Sequence, residues 1–146
     1  IRDAVRCGLP TVAECGGLMF LLESLEDVNG LRHEMVAALP GQAFRTEKLQ
    51  RFGYIEITAK EDTLLLKAGD SLRGHEFHYW DATENGESCL ATKANGSKSW
   101  DCVQGSATLF AGYPHIYLAN EAGQRAAKRF AAACRAFQRA REAARC

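Results

Sequence analysis

One cysteine stands at a tight turn between a short apolar strand and an apolar helix. It lies in Pro10-Thr-Val-Ala-Glu-Cys-Gly-Gly-Leu-Met19. Thr11 to Ala13 reads as the strand, and the run beginning Leu18-Met-Phe-Leu-Leu22 reads as a helix reaching about Ser24. Cys15 sits at the apex, followed by Gly16 and Gly17, as in a nucleophile elbow that carries a thiol in place of a hydroxyl. Small residues after the nucleophile let the backbone turn sharply and leave room for a substrate. A helix N-terminus at the sulfur predicts a lowered thiol pKa. The Gly16 N–H is positioned to meet an oxyanion formed during acyl transfer. The same turn also suits a cysteine that merely packs, so the residues alone leave both readings open. Cys7, Cys89, Cys102, Cys134 and Cys146 lack this setting and read as structural or incidental.

A cysteine nucleophile needs a base or an imidazolium partner. The candidates are His33, His75, His78 and His115. His33 follows the Asn29-Gly30 turn in a polar stretch and reads as exposed. His115 lies in Phe110-Ala-Gly-Tyr-Pro-His-Ile-Tyr-Leu118, in a segment from Thr108 to Leu118 that reads as strand, turn and strand. In Gly74-His-Glu-Phe-His-Tyr-Trp80, a strand would place His75, Phe77 and Tyr79 on one face and Glu76, His78 and Trp80 on the other. Two histidines on opposite faces chelate poorly, so this segment predicts a wall lining a site and no metal centre.

These residues must be positioned by the elements around them. Arg2 to Cys7 reads as a helix stopped by Gly8. Residues 34–40 read as a short apolar strand ending at Pro40-Gly41, and residues 42–50 as a polar loop. Gly53 to Thr58 alternates apolar and polar residues, as a half-buried strand does. Leu64 to Leu66 is a short apolar run, and Asn85-Gly86 and Asn95-Gly96 frame a hairpin around Cys89-Leu-Ala91. The last segment, Glu121 to Ala144, is a helix whose apolar stripe is Ala127, Phe130, Cys134 and Phe137. Strands mixed with helices predict a layered α/β domain with a partly parallel sheet.

Composition narrows the function. The 146 residues suit one domain, and 18 basic against 18 acidic side chains leave no net field to draw nucleic acid or an anionic membrane. The Arg-rich last helix then reads as a solvated outer face. No apolar run approaches the roughly 20 residues that span a bilayer, and no signal peptide is present. Six cysteines without a C-x-x-C pair read as free thiols in a reducing cytoplasm. No Gly-rich phosphate loop occurs. The chain opens within a helix and without Met, which predicts residues before Ile1.

Ala13-Glu-Cys-Gly-Gly-Leu-Met-Phe-Leu21, Gly74-His-Glu-Phe-His-Tyr79 and Gly112-Tyr-Pro-His-Ile-Tyr117 together resemble the C-terminal glutamine amidotransferase domain of cobyrinic acid a,c-diamide synthases, enzymes of cobalamin biosynthesis. Ser24-Leu-Glu-Asp-Val-Asn-Gly30 and Met35-Val-Ala-Ala-Leu-Pro-Gly41 fit the same spacing. The resemblance implies a class I (triad-type) glutaminase with a flavodoxin-like three-layer α/β fold, truncated at its N-terminus, so that residues 1–146 form one partial amidotransferase domain. It implies that Cys15 attacks the glutamine side-chain amide, that His115 carries the proton to leaving ammonia, and that Gly16 supplies an oxyanion donor. Gly17, Glu76, His78 and Tyr117 would line the site. No cofactor is expected in this domain. ATP and Mg2+ belong to a neighbouring ATP-dependent synthetase domain, which binds the corrinoid and activates the a and c carboxylates of cobyrinate or hydrogenobyrinate.

The chain departs from the family pattern in places. Where most class I relatives carry a Glu two residues after the histidine, this chain has Tyr117; Cys15 and His115 would then act as a dyad, or Tyr117 or another group would orient the imidazole. Pro114 replaces a bulkier aliphatic residue. Family members also have about one third of the domain before the position of Ile1, including a second oxyanion donor and central strands. A chain beginning at Ile1 would lack them, which predicts impaired or absent glutaminase activity and an uncovered sheet edge able to drive homodimerisation. The competing readings are a non-catalytic relative serving as a scaffold, the same chemistry serving another tetrapyrrole, and a Cys/His hydrolase of another family.

Overall fold

The computed structural model describes residues 1–144. Strand β1 (Thr11–Glu14) runs parallel to β11 (Leu109–Gly112), in the register Thr11↔Leu109 through Glu14↔Gly112. β10 (Gln104–Ser106) pairs antiparallel on the far side of β11, which leaves β1 at the edge of this sheet. A second sheet is antiparallel, in the order β12 (His115–Ile116), β6 (Ser71–His78), β5 (Arg51–Ala59), β8 (Cys89–Lys93), β9 (Ser99–Cys102). A third contains β3 (Arg32–Glu34), β2 (Ser24–Glu26), β4 (Gln42–Arg45) and β7 (Trp80–Ala82), with β2 and β4 parallel. The helices are α1 (Arg2–Arg6), α2 (Gly16–Leu21) and α3 (Glu121–Ala143). The arrangement is mixed α/β with a partly parallel sheet, as the sequence predicts.

Alternation builds the antiparallel sheet. Ile55, Ile57 and Ala59 of β5 and Leu72 of β6 point into a core closed by Leu64 to Leu66 and by Ala126 of α3. The opposite face of the same strands carries Phe52, Tyr54 and Phe77, all exposed. Cys89 and Cys102, partners across β8 and β9, are both buried in this core. Asn120 caps α3 by accepting a hydrogen bond from the Gly123 N–H at 2.8 Å. Gly123 is required there, because a Cβ would lie 2.4 Å from the Tyr117 carbonyl oxygen. The helix therefore starts directly against the loop that follows β12.

Four expectations change. The helix after Cys15 ends at Leu21, not Ser24; Leu22 is already extended and Ser24 opens β2. The predicted strand over residues 34–40 is confined to the end of β3, and residues 36–39 serve another purpose. The N–H groups of Val36, Ala37, Ala38 and Leu39 donate to the carbonyls of Phe20, Leu22, Leu21 and Leu21 at 2.8–3.0 Å, satisfying the open end of α2. Those apolar residues cap a helix and so cannot pair in a sheet. Within the polar stretch 42–50, Gln42–Arg45 forms β4; only Ala43 of its four residues is buried, so its composition resembles a loop. On α3, Phe130 packs on the core as predicted, but the stripe runs through Ala122, Ala126 and Ala133, and Ala127 is exposed. Ala122, Ala126 and Ala133 pack against the core of the antiparallel sheet. Cys146 lies outside the described residues.

Candidate active site

β1 ends at Glu14, and the chain reverses at Cys15 with φ 49° and ψ −106° before α2 begins at Gly16. Positive φ on a residue with a Cβ is strained and persists only when the surroundings enforce it. Two hydrogen bonds do so here: the Cys15 N–H donates to the Gly112 carbonyl at 2.8 Å, and the Cys15 carbonyl accepts from Met19 N–H at 3.1 Å. The elbow predicted from sequence is therefore present. A Cβ on Gly16 would meet nothing within 4 Å, so space is open at the residue that follows the cysteine. Gly17 is half-buried in the first turn of α2, above Ala13.

The expected lowering of the Cys15 pKa is reversed. Burial raises it, the Gly16 N–H works in the predicted lowering direction, and the Glu76 and Glu14 carboxylates raise it further. A helix of six residues offers too little dipole to overcome desolvation and two nearby negative charges. The sulfur is held as a thiol, and a nucleophilic role requires a base.

His115 lies on β12, opposite His75 of β6. This pairing depends on Gly74, since a Cβ there would lie 2.8 Å from the His115 carbonyl oxygen. Cys15 follows β1 and His115 follows β11, so both sit beyond the carboxyl ends of the parallel pair, where α/β sheets commonly present ligand sites. Tyr117, considered as a partner for the imidazole, is 53% exposed, with its backbone N–H bonded to the Arg73 carbonyl. The group that meets His115 is Glu14: its Oε2 lies 3.4 Å from Nδ1, and its Oε1 accepts the Ile116 N–H at 3.2 Å. Sequence reasoning passed over Glu14. The signal was its place at the end of β1, level with Gly112 and three residues short of His115 in the parallel register.

Glu76 and His78 are buried on the inner face of β6, as the alternation predicts, while His75 lies on the other face. The His78 Nδ1–H donates to the Trp80 carbonyl at 2.6 Å, and its Nε2 faces Glu76 Oε2 at 3.4 Å. Glu76 Oε1 accepts from the Trp100 indole N–H at 3.3 Å, with Arg51 Nε 3.9 Å from Oε2. Tyr113 stacks on His78, and its buried hydroxyl has no hydrogen-bond partner among the described residues. Burial raises the Tyr113 phenol pKa, with the Asp81 and Cys15 charges adding to it. This wall therefore stands close enough to Cys15 for charge on either side to be felt. A separate open groove of about 930 Å³, lined by Tyr54, Arg73, His75, Lys93, His115 and Tyr117, reaches the histidine and does not include the cysteine. His33 is exposed and pairs with Asp27 at 3.0 Å, away from these groups. No helix among the described residues is long and apolar enough to cross a membrane.

Residues 1–123 match the model of the CobB/CobQ-like glutamine amidotransferase domain. The chain belongs to this family. Among similar curated proteins, the amidotransferase domain is 36% identical over 95% of its length to the cobyrinate a,c-diamide synthase of Caldanaerobacter subterraneus subsp. tengcongensis, covering 31% of that protein. It is 37% identical over 82% of its length to the Salmonella typhimurium enzyme of the same name, covering 27% of it. With the Listeria innocua synthase the identity is 41% over 75% of the chain and 25% of the relative. The domain thus spans less than a third of each relative. The resemblance drawn from the elbow, the β6 motif and the His115 motif agrees with this membership, and the mixed α/β model is consistent with a class I glutamine amidotransferase fold.

Proposed function

We propose that this domain hydrolyses glutamine and supplies ammonia for the ATP-dependent amidation of the a and c carboxylates of cobyrinate or hydrogenobyrinate. The observation that carries the reading is the strained Cys15 elbow with His115 beyond the neighbouring strand end. His115 accepts the thiol proton as Sγ attacks the glutamine amide carbon, and the Gly16 N–H meets the developing oxyanion. The proton then passes to the amide nitrogen, the C–N bond breaks, and ammonia leaves a glutamyl thioester. Water, deprotonated by His115, cleaves the thioester to glutamate and restores the thiol. Gly17, Glu76 and His78 form the wall of the site on the cysteine side, and Tyr117 lines the groove that reaches His115.

Glutamine is then the substrate of this domain, and an ATP-dependent, corrinoid-binding synthetase domain is its partner, holding ATP and Mg2+. The cytoplasm is the compartment that keeps the thiol reduced. The raised Cys15 pKa favours one other reading, a non-catalytic scaffold of the same fold.

Incubation with 6-diazo-5-oxo-norleucine, followed by peptide mass mapping and an ammonia-release assay, separates the two. The glutaminase reading predicts an adduct confined to Cys15, lost in Cys15→Ser and weakened in His115→Ala. An unlabelled chain, or equal labelling of Cys7 and Cys15, would leave the scaffold reading.

A further inference from the structure

We infer that Glu14, the residue immediately before the nucleophile, is the positioning residue that fixes the tautomer and orientation of His115. The inference rests on the glutaminase reading for its catalytic consequence, and its geometry stands independently. A histidine that takes a proton from a thiol needs one ring nitrogen free to accept it and the other held as an N–H donor. The Glu14 carboxylate faces that second nitrogen, with Oε2 3.4 Å from His115 Nδ1 in an ion-pair contact. Its other oxygen accepts the Ile116 N–H at 3.2 Å, which holds the carboxylate beside the imidazole of the preceding residue.

Backbone geometry holds both partners. Glu14 is the last residue of β1 and is level with Gly112 in the parallel register, and the Cys15 N–H donates to that same Gly112. His115 is anchored from the other side by its pairing with His75. One dipeptide, Glu14-Cys15, therefore carries both the sulfur and the carboxylate, and the imidazole is held against the carboxylate at Nδ1. This leaves Nε2 as the nitrogen that accepts the thiol proton. Tyr117, whose position would otherwise hold an orienting group, has an exposed side chain.

The pair is partly exposed, with side-chain accessibilities of 48% for His115 and 30% for Glu14, so its role is orientation and not a large contribution to stability. The charge of Glu14 also opposes thiolate formation at Cys15, so a gain in sulfur acidity cannot explain its presence.

The test uses the 15N-labelled chain and long-range 1H–15N correlation at alkaline pH, where imidazole is neutral, with His115 assigned from its absence in His115→Ala. The expected wild-type signature is the Nδ1–H tautomer. In Glu14→Ala it shifts to Nε2–H, the form favoured by a free imidazole. Glutaminase kcat then falls roughly tenfold to a hundredfold with KM within about threefold, as misorientation of a reacting group implies. Glu14→Gln, whose amide oxygen can still accept from Nδ1–H, keeps the tautomer and recovers part of the rate. A wild-type Nε2–H tautomer, or a tautomer unmoved in Glu14→Ala, overturns the inference whatever the activity. A chain that shows the expected tautomer shift and never releases ammonia overturns the glutaminase reading and leaves the positioning role standing.

Discussion

The His78 imidazole lies flat on the Tyr113 ring, with centroids 4.0 Å apart and planes 10° from parallel. This contact ties the inner face of β6 to the turn between β11 and β12, and so links the buried wall to the segment that presents His115. The Tyr113 ring is a packing element whose hydroxyl is buried without a partner among the described residues. Deleting that oxygen removes a desolvated polar atom and no hydrogen bond. Tyr113→Phe is therefore expected to leave stability unchanged or to raise it by about 1 kcal/mol. Tyr113→Ala removes the stacked ring and costs about 3–5 kcal/mol. Urea denaturation checks both; a Tyr113→Phe loss near that of Tyr113→Ala would show that the hydroxyl, not the ring, does the holding.

Glu76 acts on Cys15 through charge. Its carboxylate, buried between His78, Trp100 and Arg51, is one of the groups that raise the Cys15 pKa. Glu76→Gln keeps an oxygen for the Trp100 indole N–H and removes the negative charge. Alkylation of Cys15 by iodoacetamide at neutral pH should then run several-fold faster, because a larger fraction is thiolate. Glu76→Ala leaves the wall unsatisfied and costs about 3 kcal/mol in stability. A Cys15 alkylation rate unchanged or slowed in Glu76→Gln would mean that the charge does not reach the sulfur.

Much of this arrangement was legible in the sequence because short-range rules decide it. The elbow follows from small residues after Cys15, and the alternation of β6 places Glu76 and His78 inward. Other features are set by contacts distant in sequence. Val36 to Leu39 are apolar and adjacent, which suggests a strand, yet their N–H groups serve the carbonyls of α2. The polar β4 becomes a strand only because β2 and β7 flank it. The raised thiol pKa is not legible in the sequence, because helix geometry is local, whereas the burial and the Glu76 charge that outweigh it arrive from elsewhere in the fold. The carboxylate facing His115 comes not from the position two residues downstream, where Tyr117 stands, but from about a hundred residues upstream, across a parallel strand pair.

Cys89 and Cys102 give the fold an alkaline limit. Burial pushes the Cys89 thiol up to about 12 from 9.0, with Glu61 adding and Lys60 opposing. Burial likewise raises the Cys102 thiol, and Cys89 adds to that shift. A raised folded-state pKa means that the native state favours the protonated thiol. Its contribution is complete below about 9 and is lost as pH rises towards about 12, at a limiting slope of about 1.4 kcal/mol per pH unit for each group. The urea midpoint is expected to fall above pH 9 in wild type and to fall less steeply in Cys89→Ala. Equal slopes in the two proteins would mean that Cys89 is not the group titrating.

The elbow at Cys15 reverses the usual ranking of alanine and glycine. In an ordinary helix or strand, glycine is the less stable by roughly 0.5–1 kcal/mol, since it loses more backbone freedom on folding. At φ 49° and ψ −106°, every residue with a Cβ is strained, and strain of this kind is worth about 1–3 kcal/mol. Cys15→Gly relieves it and Cys15→Ala does not. Both variants remove the sulfur, so both should abolish ammonia release, yet Cys15→Gly should be more stable to urea than Cys15→Ala by about 1 kcal/mol. The difference would measure the strain the fold holds in order to present the thiol, a cost that a purely structural cysteine would have no reason to carry. Cys15→Ala equal to or more stable than Cys15→Gly would mean that the turn accepts a side chain without strain, and would remove the elbow as an argument for catalysis.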